Sequence, residues 1–280
     1  MTILIADSGS TKCEWCLVSN GRKQIVETQG ASPYFLNESQ LVDMMRNELL
    51  PALKNKVPFR IFFYGTGLAA EKNRGILRRA LKSIFPVAEI EVEHDLTGAS
   101  RAVCGNNKGI VAILGTGSNS GYYNGKKIVR NSPGLGYVLG DEGSGAYLGK
   151  KVLQYFLYKI FDMELHKKFQ KKYQLTAADI LDAVYKKPLP NRYIAAFTLF
   201  LAENRGHYMI ENIIEDGLRD FFSNHLIQYP ESGEMPVHFI GSVAFGFKDI
   251  LKELCKSFGW QTGKILAKPM DGLVSYHKTK

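Results

Sequence analysis

Two stretches of this chain, residues 2–28 and 109–129, follow one plan. Each opens with a short apolar run, Ile3-Leu4-Ile5-Ala6 in the first and Ile110-Val111-Ala112-Ile113-Leu114 in the second. Each run ends in small hydrogen-bond donors around glycine, Asp7-Ser8-Gly9-Ser10-Thr11-Lys12 and Gly115-Thr116-Gly117-Ser118-Asn119. Each then turns back through a hairpin, at Asn20-Gly21 and at Asn124-Gly125, the dipeptide that best suits a tight β-turn. Setting Gly117 on Gly9 places Thr116 on Ser8, Ser118 on Ser10 and Asn119 on Thr11, and leaves Asp7 opposite Gly115. One supersecondary unit used twice predicts two similar sheets, each offering a donor turn to a shared ligand.

The intervening patterns complete both halves. In the first they predict a helix over 39–50, a strand over 60–64, a helix over 76–84 and a strand over 89–93 that stops at His94-Asp95. In the second they predict helices over 146–161 and 194–225, a strand over 237–240, a turn at Gly241-Ser242, a helix over 247–258 and a strand over 264–267. Strands alternating with helices make an α/β fold.

Composition narrows the class. No apolar run reaches the ~18 residues of a membrane span, and residues 1–3 enter a strand without the basic and small-residue pattern of a signal peptide. The expected location is cytoplasmic, with no membrane partner. Four irregularly spaced cysteines, Cys13, Cys16, Cys104 and Cys255, do not make a disulfide framework. Cys13 and Cys16 fall three apart in a predicted strand, where alternation turns them to opposite faces. The net charge of +9 is densest at 166–172. Lysines four apart there read as a solvated helix face, so nucleic acid is not expected. None of the six histidines shows zinc spacing.

Glycine lets the backbone approach a ligand closely, and amides with Ser and Thr hydroxyls then make an anion cradle. Phosphate is the natural guest, yet no Gly-x4-Gly-Lys-Ser/Thr run occurs, and a strand rather than a helix follows Lys12. Asp7 adds a carboxylate able to hold Mg²⁺ through water. Asp95, at a strand end, is placed either to cap the next helix or to take a proton from an attacking hydroxyl. Asp141 sits in the glycine-dense Pro133–Gly145 stretch, where it or Ser144 serves equally to cap the helix that follows.

These residues resemble a family. Leu4–Lys12 is similar to the first phosphate motif of the actin-like, sugar-kinase and chaperone ATPase superfamily, Leu114–Asn119 to its second, and Phe239-Ile240-Gly241-Ser242-Val243-Ala244 to its adenosine motif. Gly140-Asp141-Glu142-Gly143-Ser144 resembles N-acetylglucosamine kinases and the ATPases grouped with them. The resemblance implies two ribonuclease H-like domains, each a mixed five-stranded sheet with flanking helices, with a cleft between them. The domains expected are 1–107 and 108–280, in agreement with the repeat. It implies ATP and Mg²⁺ as cofactors and a small amino sugar as substrate, with a homodimer left open. ATP would be held by Asp7, Gly9, Ser10, Thr11, Lys12, Thr116, Gly117, Ser118, Asn119, Gly241 and Ser242, with the metal at Asp7. Asp95 would be the catalytic base, and Ser32, Asp95, Thr116, Gly134, Leu135, Gly136 and Asp141 would meet the sugar. Two positions depart from the pattern: Ser32 stands where the family carries Asn, and Leu135 where animal members carry Trp. Both concern the sugar, not the phosphates. An alternative within the superfamily is an ATPase that activates an electron-transfer enzyme through a cysteine-held iron-sulfur cluster. A DNA-reading repressor on the same core would need a helix-turn-helix, for which a first strand starting at Thr2 leaves no room.

Overall fold

A computed structural model of the chain describes residues 2–9, 12–54, 56–132 and 134–278. Two compact units form, one from the residues through Asn107 together with those from Pro269 onward, the other from Lys108–Lys268. The first holds β1 (Ile3–Ser8), β2 (Lys12–Ser19), β3 (Arg22–Gln29), β4 (Arg60–Gly65) and β5 (Glu89–His94), in the order β3-β2-β1-β4-β5. The second holds β6 (Lys108–Leu114), β7 (Ser118–Asn124), β8 (Ile128–Ser132), β9 (Val237–Ile240) and β10 (Thr262–Leu266), in the order β10-β9-β6-β7-β8. In both, the first three strands are antiparallel and the last two lie parallel to the first. The expected pair of mixed five-stranded sheets is what the chain builds.

Central strands covered on both faces must be apolar throughout. Leu4, Ile5 and Ala6 of β1 and Ile110, Val111 and Ala112 of β6 are fully buried. In the first unit Trp15 packs edge-on against Phe63 at 5.5 Å and donates its Nε1 proton to Thr28 Oγ1 at 3.0 Å, so the largest core side chain leaves no polar atom stranded. The second unit's core is rich in phenylalanine, with Phe169, Phe200, Phe221 and Phe239 almost wholly buried. Among the described residues no helix is long and apolar enough to cross a membrane.

Several expected boundaries move. The helix expected over 194–225 is three, Pro190–Ala196, Thr198–Glu203 and Tyr208–Asn224. Gly206, at φ +89°, supplies a left-handed step that ends one helix axis and starts the next. The helix expected over 146–161 runs Gly145–Leu157 and stops before Lys159 at φ +57°. At the first hairpin Asn20 and Gly21 are both left-handed, at φ +48° and +78°, as a tight primed turn needs. At the second, Asn124 instead takes the N–H groups of Lys126 and Lys127 on its side chain, at 3.0 Å each. That Asx-type turn delays β8 to Ile128, past the start at Lys126 of the strand that the sequence pattern predicts over 126–129.

The helix Met270–Lys278 belongs with the first unit, although the sequence reading assigned its residues to the second domain. Gly272 explains the approach: a Cβ there would lie 2.4 Å from the carbonyl oxygen of Ala102, in the helix Asp95–Cys104. The His277 ring stacks on Phe62 with centroids 3.6 Å apart, and its Nε2 lies 2.8 Å from the Tyr64 hydroxyl.

Candidate active site

In the first unit, sheet register draws the expected residues to one edge. Ser8 lies opposite Gly65, and Gly65 opposite His94, so the parallel strands β1, β4 and β5 end level. Adjacent strands are ~4.8 Å apart, which puts the residues after these ends, Gly9, Thr66 and Asp95, within roughly 10 Å along one rim. Ligands of open α/β sheets bind at such carboxyl ends. The rim is knitted by backbone. Thr66 N–H donates to the Ser8 carbonyl at 2.9 Å, Ala31 N–H to Ser8 Oγ at 3.0 Å, and Gly9 N–H to the Lys12 carbonyl at 2.9 Å.

Asp95 begins the helix Asp95–Cys104 and does not cap it; His94 does. Leu96 N–H donates to Asp95 Oδ1 at 2.7 Å and lies 3.3 Å from His94 Nδ1. The same Nδ1 is 2.9 Å from Asp95 Oδ1. Unprotonated, Nδ1 accepts from the backbone; protonated, it donates to the carboxylate. Burial alone would lower the imidazole, but the hydrogen bond and charge of Asp95 outweigh it and raise His94 above its ordinary value. The helix lies close on the sheet because Gly98 has no side chain: a Cβ there would meet the Tyr64 ring at 2.7 Å.

Ser32 is buried beside this rim, its hydroxyl 3.4 Å from the Thr66 carbonyl. Gly67, at φ +78°, comes so near that a Cβ would touch Tyr34 and Ser32 Oγ. Asp7 is partly buried within β1, between Glu14 on β2 and Tyr64 on β4. Lys12 is exposed and pairs with Glu27 at 3.1 Å. Ser10 and Thr11 lie outside the described residues.

In the second unit the expected residues converge on one carboxylate. Asp141 is 8% exposed, with φ at +61°. Its Oδ1 accepts from Gly136 N–H at 3.1 Å, and the carboxylate also accepts from Ser118 N–H. Two glycines make room for it: a Cβ on Gly117 would lie 2.9 Å from Asp141 Oδ2, and one on Gly134 3.2 Å from Oδ1. Burial pushes the Asp141 carboxyl above the usual range, the two backbone donors pulling the other way. Helix capping falls to Ser144, whose Oγ accepts from Tyr147 N–H at 3.1 Å.

The turn below is anchored on that helix. Gly145 N–H donates to the Gly115 carbonyl at 2.8 Å and Ala146 N–H to the Thr116 carbonyl at 3.0 Å. Gly241, at φ +126°, would place a Cβ 2.2 Å from the Leu114 carbonyl oxygen, so glycine alone lets the expected adenosine motif abut the second turn. Ser242 is exposed beyond it, and Asn119 Oδ1 accepts from Asn131 Nδ2 at 2.8 Å. Ser118 Oγ is buried without a hydrogen-bond partner, a hydroxyl that a ligand oxygen would satisfy.

The repeat is alike in place but not residue for residue. Ser8 pairs with Cys13 across four intervening positions, and Leu114 with Ser118 across three. The second turn is thus one residue shorter than the first, so no single offset superposes both arms of the two hairpins.

Sequence reasoning missed a buried cluster beside Asp141. Glu142 Oε2 is 3.0 Å from His225 Nε2, and His225 Nδ1 is 2.9 Å from Ser132 Oγ. Tyr229 hydroxyl accepts from Ser132 N–H at 2.6 Å and lies 3.0 Å from Ser120 Oγ. Only Glu142 had carried a signal, as part of the glycine-dense motif.

The cysteines do not suit a cluster. All four are buried without a disulfide, and burial pushes Cys13 well up and Cys16 and Cys255 up, away from the thiolate an iron-sulfur centre needs. Among the described residues no three His, Cys, Asp or Glu side chains gather as a metal site. A Mg²⁺ at Asp7 would thus take most of its ligands from water and phosphate, as that ion commonly does.

No family model matches the chain. A crystal structure from Porphyromonas gingivalis, solved under the name "Putative N-acetylglucosamine Kinase", is 39% identical over 99% of each chain, with a TM-score of 0.96. The N-acetylmuramic acid/N-acetylglucosamine kinase of Clostridium acetobutylicum is 26% identical over 164 residues, 56% of this chain and 53% of that protein. The match thus spans about half the length of this curated relative. A glucokinase of the ROK family from Streptomyces griseus, solved with glucose and AMPPNP, shares 16% identity over 100% of this chain and 99% of its own, with a TM-score of 0.59, and so shares the fold.

Proposed function

Because this chain belongs to the N-acetylglucosamine kinase-like family of two-domain sugar kinases with the actin-like ATPase fold, we propose that it transfers the γ-phosphoryl group of ATP to a hydroxyl of an amino sugar, N-acetylglucosamine first among candidates. The observation that carries this reading is the Asp141 carboxylate, gripped by Ser118 and Gly136 N–H groups in a glycine-lined socket. Such a carboxylate keeps lone pairs for sugar hydroxyls. The same short segment presents the unpartnered Ser118 hydroxyl to a phosphate oxygen.

Asp95 is the base. Its carboxylate takes the proton of the attacking hydroxyl as the new O–P bond forms and the bond to the departing ADP oxygen breaks. Phosphoryl transfer asks chiefly for positioning and charge stabilisation. The amides of the Gly9 and Gly117 turns, with the hydroxyls and Lys12 around them, supply these for the nucleotide phosphates. Asp7 would hold Mg²⁺ through water, and the ion would supply further neutralisation of phosphate charge. Ser32 and Leu135 face the sugar in place of the family's Asn and of the Trp of animal members.

The test is ADP release against a panel of hexoses and amino sugars. N-acetylglucosamine or a close relative should stimulate it, and Asp95→Asn should cut kcat by about a hundredfold to ten-thousandfold, the usual worth of a positioned base. Release that no sugar stimulates, or an Asp95→Asn enzyme as fast as its parent, would end the proposal.

A further inference from the structure

The loop between β8 and the helix Gly145–Leu157 carries Gly134, Leu135, Gly136 and Asp141, and its regular structure is one helical turn, Gly136–Leu139. Of its apolar side chains only Tyr137 packs against the core, since Leu135, Val138 and Leu139 are 60%, 69% and 77% exposed. Asp141 nevertheless keeps a left-handed backbone that an L-residue leaves unless something fixes it. Both ends of the loop meet one imidazole. His225 follows the helix Tyr208–Asn224, its ring stacked on Phe221 at 5.1 Å and only 6% exposed. One ring nitrogen reaches Ser132, the last residue of β8, and the other reaches Glu142, the residue after Asp141.

Two contacts press the same join. Asn224 Nδ2 lies 3.5 Å from Glu142 Oε1, and Gly143, at φ +70°, is so close to the helix that a Cβ would sit 2.9 Å from Phe221 Cβ. Burial alone would raise Glu142, but the hydrogen bond from His225, together with its own backbone N–H, the His225 charge and Asn224, lowers it.

We infer that His225 is a positioning residue: it ties Ser132 to Glu142 across the base of the loop and so holds the Asp141 carboxylate in its socket for the sugar. Its consequence for turnover rests on the kinase reading above; the tie itself rests on geometry alone. Neither His225 nor Glu142 touches the sugar. Cutting the tie leaves buried polar groups unpaired and frees the loop, while the Gly115–Gly117 turn stays anchored on the helix Gly145–Leu157.

The experiment compares full-length His225→Ala, Glu142→Ala and Glu142→Gln with the parent, by steady-state kinetics and by hydrogen exchange of the segment 134–144. Both alanine variants should raise the KM for the sugar about tenfold, the worth of one charge-assisted hydrogen bond, and leave the KM for ATP within about twofold. Glu142→Gln keeps an acceptor for the ring and should restore the sugar KM to within about threefold. Exchange over 134–144 should quicken in the alanine variants and not in Glu142→Gln. Equal changes in both KM values, or no rescue by glutamine, would reduce the tie to general stability and overturn the inference. If His225→Ala does not fold, Ser132→Ala removes one end alone and is read the same way. Should the parent turn over no sugar, the kinase reading fails, and unchanged exchange in the variants would still refute the tie independently.

Discussion

Gly134 has no room for a methyl group. Its Cβ would lie 2.4 Å from the Ser118 carbonyl oxygen, a backbone atom that cannot swing aside. Gly134→Ala should therefore move the loop off Asp141, raise the KM for the sugar and cost about 1–3 kcal/mol of stability, the usual toll of overpacking; kinetics and a denaturant melt check it. The His94–Asp95 pair gives a pH signature. An imidazole raised by its partner adds stability that is full below about pH 6.5 and fades as pH rises through the folded value. For turnover the sign reverses, because protonated His94 occupies the carboxylate that Asp95 needs as a base. In His94→Gln the acid limb of kcat/KM should move to lower pH, and the stability lost relative to the parent should be largest in acid and shrink in alkali to the worth of the cap. An unmoved acid limb would separate His94 from the chemistry. Asp95 and Asp141 were legible as acids at a strand end and in a glycine-dense loop. Ser132, His225 and Tyr229 were not, since they meet one another, Ser120 and Glu142 from 83 to 109 positions away in sequence, and no local pattern encodes such a meeting.

At the scale of elements, strands and first turns were readable because short apolar runs and Asn-Gly pairs act over a few residues. What escaped was decided by tertiary partners. The apolar period of 194–225 continues through breaks that single residues such as Gly206 impose, and β8 begins late because the side chain of Asn124 caps its own turn. The join of β9 and β10 carries a prediction. His238 Nδ1 accepts from Lys264 N–H at 2.9 Å, and a Cβ on Gly263 would lie 2.4 Å from it, so the ring is held neutral. Burial, with the Lys264 charge, pushes the imidazole down to about 4. The unfolded chain binds a proton first, so stability should fall as pH drops from about 6.5 toward 4, by on the order of 3 kcal/mol. His238→Asn should flatten that limb in denaturant melts at pH 4.5 to 7; an unaltered slope would show that the fall arises elsewhere.

The two units differ in how the chain supplies them. The second is continuous over Lys108–Lys268, whereas the first needs the helix Met270–Lys278, where Leu273 and Val274 are buried to within 1%. A fragment of residues 108–268 should melt cooperatively on its own. A chain cut after residue 268 should lose the first unit's stability while keeping the second's, since each large aliphatic left uncovered forfeits about 1.5–3 kcal/mol from a total near 5–15. Two melting transitions, only the lower one altered by the cut, would bear this out; an unchanged profile would show the helix to be dispensable. Periodicity marked that helix's neighbours but could not say which sheet it would meet. On the ribosome the helix that begins at Asp95 emerges early, then waits for about 165 further residues before the helix that packs on it exists, roughly 8–33 s at ~5–20 residues per second. The half that is translated first is thus completed last, and during that interval the nascent flank around Tyr64 and Ala102 stands open to whatever shelters unfinished chains.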